Sequence, residues 1–342
     1  MTISSLGRMA PLLSVAIPML CSAQTFKVTD LGTLGGVESI ATAINASGEI
    51  TGGATTSAGA FHAFLYANGS MKDLGTLGGP SSQGQGINRT GTVVGYAQLP
   101  PGPVLGGWPP HPISLYSGFV DSNGSMAALG APGGAAYAIN DAGQVVGECP
   151  GGACLFSGGT ITGLGSLGGT SGSTQATAIN SFGEVVGYSY LPDGNFRGFF
   201  WKNGSMTELG TLGGDWSQAY GINDAGQITG IAYTPGNLGA HAFIYTNGPM
   251  KDLGTLGGAY STGTAINHAG VVVGYATPAN PNATTYHAFV YAGSKMYDLN
   301  GLIARNSGWL LESANGINDS GEIVGYGTIK GQQHGFLLTP AK

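Results

Sequence analysis

Short apolar runs bounded by glycine and asparagine recur along the whole chain, and their order predicts a repeated set of strands. A small apolar run such as Ala41-Thr42-Ala43-Ile44 or Ala176-Thr177-Ala178-Ile179 ends in Asn, with Gly three residues later. This is turn chemistry, the Asn side chain bonding forward to the backbone. A second run follows at once: Glu49-Ile50-Thr51-Gly52, Val93-Val94-Gly95-Tyr96, Val185-Val186-Gly187-Tyr188 and Val272-Val273-Gly274-Tyr275. After a loop of variable length comes the third, His62 to Tyr66, repeated at Gly198 to Trp201, His241 to Tyr245 and His287 to Tyr291. Asn-Gly then predicts a tight hairpin at Asn68-Gly69, Asn123-Gly124, Asn203-Gly204 and Asn247-Gly248. The fourth run, Met71-Lys72-Asp73-Leu74, is echoed from Met206, Met250 and Met296.

Aligned on the first Asn, the unit occurs seven times, at Asn45, Asn88, Asn140, Asn180, Asn223, Asn267 and Asn318, with spacings of 43, 52, 40, 43, 44 and 51 residues. Four antiparallel strands at this period match the blade of a β-propeller. The first run is rich in Ala, Gly and Ser, as crowding around an axis requires, and the fourth carries Lys, Asp, Glu and Thr like an exposed edge. A β-solenoid competes for a Gly-rich repeat, but its coils are usually shorter and lack regular two-residue hairpins. The expectation is an all-β fold, a seven-bladed β-propeller of four-stranded antiparallel blades.

The chain ends bear on closure. Phe26-Lys27-Val28-Thr29-Asp30-Leu31-Gly32 reads as a fourth run with no unit before it, and the last unit stops after His334 to Leu338 without one. Residues 26–32 are therefore expected to complete the last blade, closing the ring and removing a raw strand edge.

Composition agrees with this picture. The chain has 64 glycines in 342 residues and 8% charge, where about 25% charge is usual. The regularly spaced Ile, Val, Phe and Leu argue against disorder. The net charge is −6, and the 11 Lys and Arg are scattered singly. The basic footprint of a nucleic-acid binder is missing.

The first residues read separately. Arg8 precedes an apolar run from Met9 to Leu20, and Cys21-Ser22-Ala23 offers the small residues of a cleavage site. Residues 1–23 are expected to be a cleaved signal peptide, leaving one domain over 24–342. The run is too short to span a bilayer and is interrupted by Pro11 and Pro18. Bulky Leu20 weakens a lipoprotein reading of Cys21. An exported, extracellular or periplasmic monomer without a membrane span is expected. Export leaves Cys149 and Cys154, flanking a four-residue turn, to pair as a disulfide; two free buried thiols are the other reading.

His-Ala-Phe at 62–64, 241–243 and 287–289, with Asp-Leu-Gly-Thr-Leu-Gly-Gly at 30–36, 73–79 and 252–258, resembles the bacterial HAF repeat family of extracellular repeat proteins. The match covers essentially the whole mature chain. Copies depart from it at Ser117-Gly118-Phe119, Ala153-Cys154-Leu155 and Arg197-Gly198-Phe199, and the third keeps only Leu129 to Gly134 of the longer motif. The resemblance implies secretion and a repeat fold, and it hands over no catalytic residues.

No nucleophile elbow, zinc-protease, phosphate-loop or calcium-loop motif occurs, and no cofactor is implied. His62, His241, His287 and His334 share one slot, and Asp30, Asp73, Glu208, Asp252 and Asp298 another. Structural roles, strand-end capping and backbone bonding, are expected over metal or calcium binding. Length variation falls in the loops between second and third strands and in the crossovers, which leave the blade on one face. Varying loops on a rigid scaffold are where binding concentrates. They hold Trp108, His111, Tyr190, Arg197, Trp216, Tyr233, Tyr260, Tyr286, Arg305, Trp309 and Glu312. Aromatic faces with a few polar groups suit a sugar ring or a peptide. The expected function is a binding, adhesion or scaffold module for a glycan or protein ligand. The alternatives are a lyase or hydrolase built from Glu38, Glu312, Arg305 and His111 at the channel mouth, and a structural matrix protein.

Overall fold

A computed structural model describes residues 25–100, 104–105, 111–112, 116–130, 133–169, 174–280 and 285–341. The expected signal peptide and Trp108 lie outside them. The regular secondary structure of the described residues is all strand but for two 3-10 turns, Pro235–Asn237 and Leu299–Gly301. In the first unit Gly35–Ile44, Ile50–Thr56, Phe61–Ala67 and Ser70–Asp73 pair in chain order as an antiparallel sheet. The pattern repeats down the chain. Two units share one larger sheet through a single parallel pairing of Ala240 with Tyr260. In the last unit Phe26–Asp30 pairs antiparallel with Gln332–Pro340, placing Asp30 opposite Phe336.

The core lies between adjacent sheets. Phe64, Phe119, Phe199, Phe243, Phe289 and Phe336, one from each of six third strands, are fully buried. Phe119 packs with Ala63 and Leu74 of the preceding unit and with Ile87 and Val93 of its own. Burying each ring is worth about 2–3 kcal/mol. The recurrent glycine of the second strand is required by close approach: a Cβ on Gly187 would lie 1.9 Å from the Gln175 carbonyl.

The third unit departs from its expected register. Gly147 faces Cys154, as Gly187 faces Phe199, so Gly152-Ala153-Cys154 fills the His-Ala-Phe slots rather than Ala153-Cys154-Leu155. Cys154 takes the place of the buried ring, and its sulfur is bonded to Cys149. The Asn-Gly hairpins carry positive φ at both residues at Asn68, Asn123 and Asn203, but at Asn247-Gly248 only the Asn does. Pro249 follows Gly248 and restricts it to extended backbone.

The Asn turns do more than their sequence indicates. Asn45 Oδ1 accepts from the amides of Ser47 and Glu49, both at 2.9 Å, while Nδ2 donates 2.9 Å to the Asn88 carbonyl of the next unit. Asn88 donates in turn to Asn140, Asn140 to Asn180, Asn180 to Asn223, Asn223 to Asn267, Asn267 to Asn318, and Asn318 back to Asn45. First strands of neighbouring units touch in the same cyclic order.

Each of these first strands contains a β-bulge. A bulge leaves one residue unpaired and re-aims its side chain. Thr42, Thr177, Thr264 and Asn315 use this freedom to bond a carbonyl of the next first strand at 2.7–2.9 Å.

Candidate functional site

Bulge residues Tyr137 and Tyr220 instead face a central cavity of about 420 Å³, lined also by Gln175, Thr177, Thr262, Thr264, Tyr275 and Asn315. Of the second-strand tyrosines Tyr275 lines it, and Tyr188 reaches the lining residue Gln175. Tyr96 donates to Gln83 Oε1 and Tyr188 to Gln175 Oε1, each at 2.6 Å, and Tyr220 to Gln218 Oε1. Gln175 Nε2 donates to the Tyr137 hydroxyl at 2.9 Å and to Glu148 at 3.2 Å. Burial pushes the Tyr137 phenol well above its ordinary value, with the Glu148 carboxylate adding to the shift; burial also raises Tyr220, with Tyr275 beside it. Tyr96, Tyr188 and Tyr326 move the same way, from burial first and then from Tyr116, Glu148 and Glu312 respectively. At neutral pH these groups are uncharged hydroxyls.

The second strands run toward the long-loop face, so residues at their ends gather there. Tyr190 ends Val185–Tyr190, Phe196 begins Phe196–Lys202, Trp216 precedes Ser217–Ile222, and Tyr233 ends Ile228–Tyr233. Their rings form one strip, with centroids 3.9 Å apart for Tyr190 and Phe196, 6.5 Å for Phe196 and Trp216, and 5.2 Å for Trp216 and Tyr233. All four are half-buried. Tyr188 joins strip to cavity: its ring stands edge-on to Phe196 at 5.5 Å, and its hydroxyl reaches Gln175.

The other expected residues are placed differently. Arg197 borders the strip but is held by Glu208 at 2.7 Å and by the Asp215 carbonyl. It occupies the slot where His62, His241, His287 and His334 donate to Asp73, Asp252, Asp298 and Asp30 at 2.7–3.0 Å. Those carboxylates also accept a backbone N–H two residues on, as from Gly75 to Asp73 at 2.7 Å. Tyr286 is exposed and stands edge-on to Tyr275 at 5.0 Å. Tyr260 is exposed at the parallel pairing. Trp309 packs against Phe336 beside the core, 6.1 Å between ring centres. Arg305 is exposed on a crossover, Glu312 accepts from Thr328 at 2.5 Å, and His111 lies in a short strand paired with Val104–Leu105. Among the described residues no hydrogen bond or ion pair joins Glu38, Glu312 and Arg305, and no three metal-binding side chains cluster.

Sequence reasoning missed Phe196 and the channel tyrosines. A signal existed for Phe196: the residue before the third-strand slot is aromatic also at Phe61, Tyr116 and Tyr286. For the others it was the Tyr after the second-strand Gly, recurring at 96, 188, 275 and 326. The short-turn face was also underrated, since a groove of about 700 Å³ there runs beside Phe182, Trp201 and Tyr245.

No protein-family model matches the chain, and no curated protein does. Among solved structures, the β-propeller domain of the Trilobed protease from Pyrococcus furiosus, which has an open velcro topology, matches 93% of this chain and 96% of that one, with TM-score 0.54 and 8% identity. The fold is a β-propeller. Acylaminoacyl peptidase from Pyrococcus horikoshii (TM-score 0.47, 11% identity, 84% of this chain and 50% of that one) and TolB from Acinetobacter baumannii (0.40, 10%, 86% and 64%) are more distant likenesses.

Proposed function

We propose that this protein is an exported, seven-bladed, closed β-propeller of the HAF repeat type that binds a glycan or protein ligand through its long-loop face. The cycle of seven Asn side chains supports the blade count, and the pairing of Phe26–Asp30 with the last third strand supports closure. The Cys149–Cys154 bond and the Arg8 to Ala23 pattern both suit an oxidising, exported setting. The observation that carries the binding role is the strip of Tyr190, Phe196, Trp216 and Tyr233. Half-exposed rings from two neighbouring units meet beside a polar cavity, where rigid aromatic surface gives affinity at low entropic cost. The experiment is a pull-down of cell-envelope fractions with the purified protein and with its Tyr190→Ala/Trp216→Ala variant, both checked by circular dichroism. The variant is expected to lose at least tenfold in captured ligand; equal capture by both would refute the role of this face.

A further inference from the structure

The cavity beneath the aromatic strip carries a chemical selectivity of its own. Its volume, about 420 Å³, lies inside the usual range for small-ligand sites, about 300–1,000 Å³. The lining is phenol, amide and hydroxyl throughout, with no cation. The Tyr275 hydroxyl makes no hydrogen bond to a described residue and is not among the buried unpaired atoms, so it is an accessible donor. Gln175, by contrast, is fully engaged by Tyr188, Tyr137 and Glu148, which fixes its neighbours in place.

The charges that act on the tyrosines around the cavity are the carboxylates of Glu148 and Glu312, while Arg197, which borders the strip, is paired with Glu208 at 2.7 Å. Glu148 accepts from Gln175, and Glu312 accepts from Thr328. Neither carboxylate has an ion-pair partner among the described residues. An acidic ligand entering here would come near Glu148, which is bonded to the lining residue Gln175, and near Glu312, whose charge acts on Tyr326; both are half-buried, where like charges interact more strongly than in bulk water. A polyhydroxylated neutral ligand meets only donors and acceptors. A sugar ring also presents an apolar C–H face, which matches the aromatic strip, and Tyr188 makes strip and cavity continuous.

We propose that the long-loop face binds an uncharged oligosaccharide, stacked on the Phe196–Trp216 strip with its hydroxyls in the tyrosine-lined cavity, and that Glu148 and Glu312 reject acidic glycans. The proposal rests on the reading of this face as the binding face.

Isothermal titration of the purified protein with cellohexaose, maltohexaose, mannohexaose, chitohexaose and hexagalacturonate tests it. At least one neutral hexasaccharide is expected to bind, with hexagalacturonate at least tenfold weaker. Tyr275→Phe, which removes a hydroxyl with no partner among the described residues, is expected to weaken the neutral ligand about three- to tenfold. Glu148→Gln with Glu312→Gln keeps an amide oxygen to accept from Gln175 Nε2 and should narrow the gap to hexagalacturonate at least threefold. The proposal is overturned if no neutral hexasaccharide binds, if hexagalacturonate binds equally well, or if the gap survives the double Gln variant. Capture of a protein ligand that depends on Tyr190 and Trp216, with no glycan binding, would overturn it while leaving the binding face intact. Glycan binding retained in Tyr190→Ala/Trp216→Ala would overturn both.

Discussion

Removing the Asn318 side chain tests whether the ends of the chain meet. Asn318 is 5% exposed. Its Oδ1 accepts from the Glu322 amide at 3.0 Å and from Ser320 Oγ at 2.8 Å. Its Nδ2 donates to Glu322 Oε2 at 2.8 Å and to the Asn45 carbonyl at 3.2 Å. Asn318→Ala deletes all four, each worth about 1 kcal/mol net. The Ser320 and Glu322 side chains regain water, which lowers their share. The Asn45 carbonyl keeps its bond from Gly48 N, 3.1 Å, so it is not orphaned. The expected loss is about 2–4 kcal/mol, read as a lower urea midpoint with unchanged slope. Asn180→Ala is the internal reference, because Asn180 makes the same turn and donates 3.3 Å to a unit adjacent in sequence. A loss at Asn318 smaller than that at Asn180 by about one bond, about 1 kcal/mol, would mean that the first and last units do not meet in solution.

Three further outcomes follow from the same geometry. Deleting Phe26–Asp30 strips a strand from the last sheet, exposes buried Phe26 and leaves His334 without Asp30, so the melting temperature should fall by about 10 °C or more; an unchanged melt would sink the closure. Cys149→Ser/Cys154→Ser should cost about 2 kcal/mol, small because the bridged loop is short, and intact-mass analysis of the wild type should find neither thiol open to alkylation before reduction. Stability should fall as pH rises above about 10. Burial raises the phenols of Tyr137 and Tyr220 in the folded state, so the unfolded chain loses protons first and stability is lost through the folded titration. Urea midpoints between about pH 9 and 11.5 should decline, and Tyr137→Phe/Tyr220→Phe should flatten that decline.

The strands, their order and the hairpins were legible because each is a local pattern: period-two apolar runs, Asn-Gly turns, a recurring glycine. The pairing of residues 26–30 with the last unit was legible too, since the missing run and the orphan run were complementary. What connects the units was not. The Nδ2 of Asn45 spends its donor on a residue 43 positions away, and nothing within its turn announces that. The His and Asp slots were each visible, yet their partnership appears only when Arg197 and Glu208 replace both together. In the third unit the shift of one residue was hidden, because a cysteine replaces the phenylalanine that would have marked the register.

Within the site, legibility followed exposure at strand ends. Tyr190, Trp216 and Tyr233 stood out because they flank variable loops, and the structure brings their rings together in one strip, whereas Trp309, chosen on the same ground, turns back onto the core. The channel was missed because its residues sit inside a repeated strand that reads as architecture.

Those strands nonetheless record a trade between stability and site. Where a bulge residue is Thr or Asn it ties its blade to the next, as Thr177 does to Ala219 at 2.8 Å. Tyr137 and Tyr220 occupy the same position and face the cavity instead. Each lacks the bond to a neighbouring carbonyl that its Thr and Asn counterparts make, worth about 1 kcal/mol, although Tyr137 still accepts from Gln175 of the next first strand at 2.9 Å. Gln85 is the other residue at this bulge position that is neither Thr nor Asn, and of the three only the two tyrosines line the cavity, as the proposed binding role would require. The aromatic strip belongs to the fourth and fifth units, and Tyr220 is the bulge residue of the fifth. The strip and the Tyr220 departure therefore fall on the same pair of units, joined through Tyr188, which under the proposed binding role favours one site there over equivalent sites in every unit.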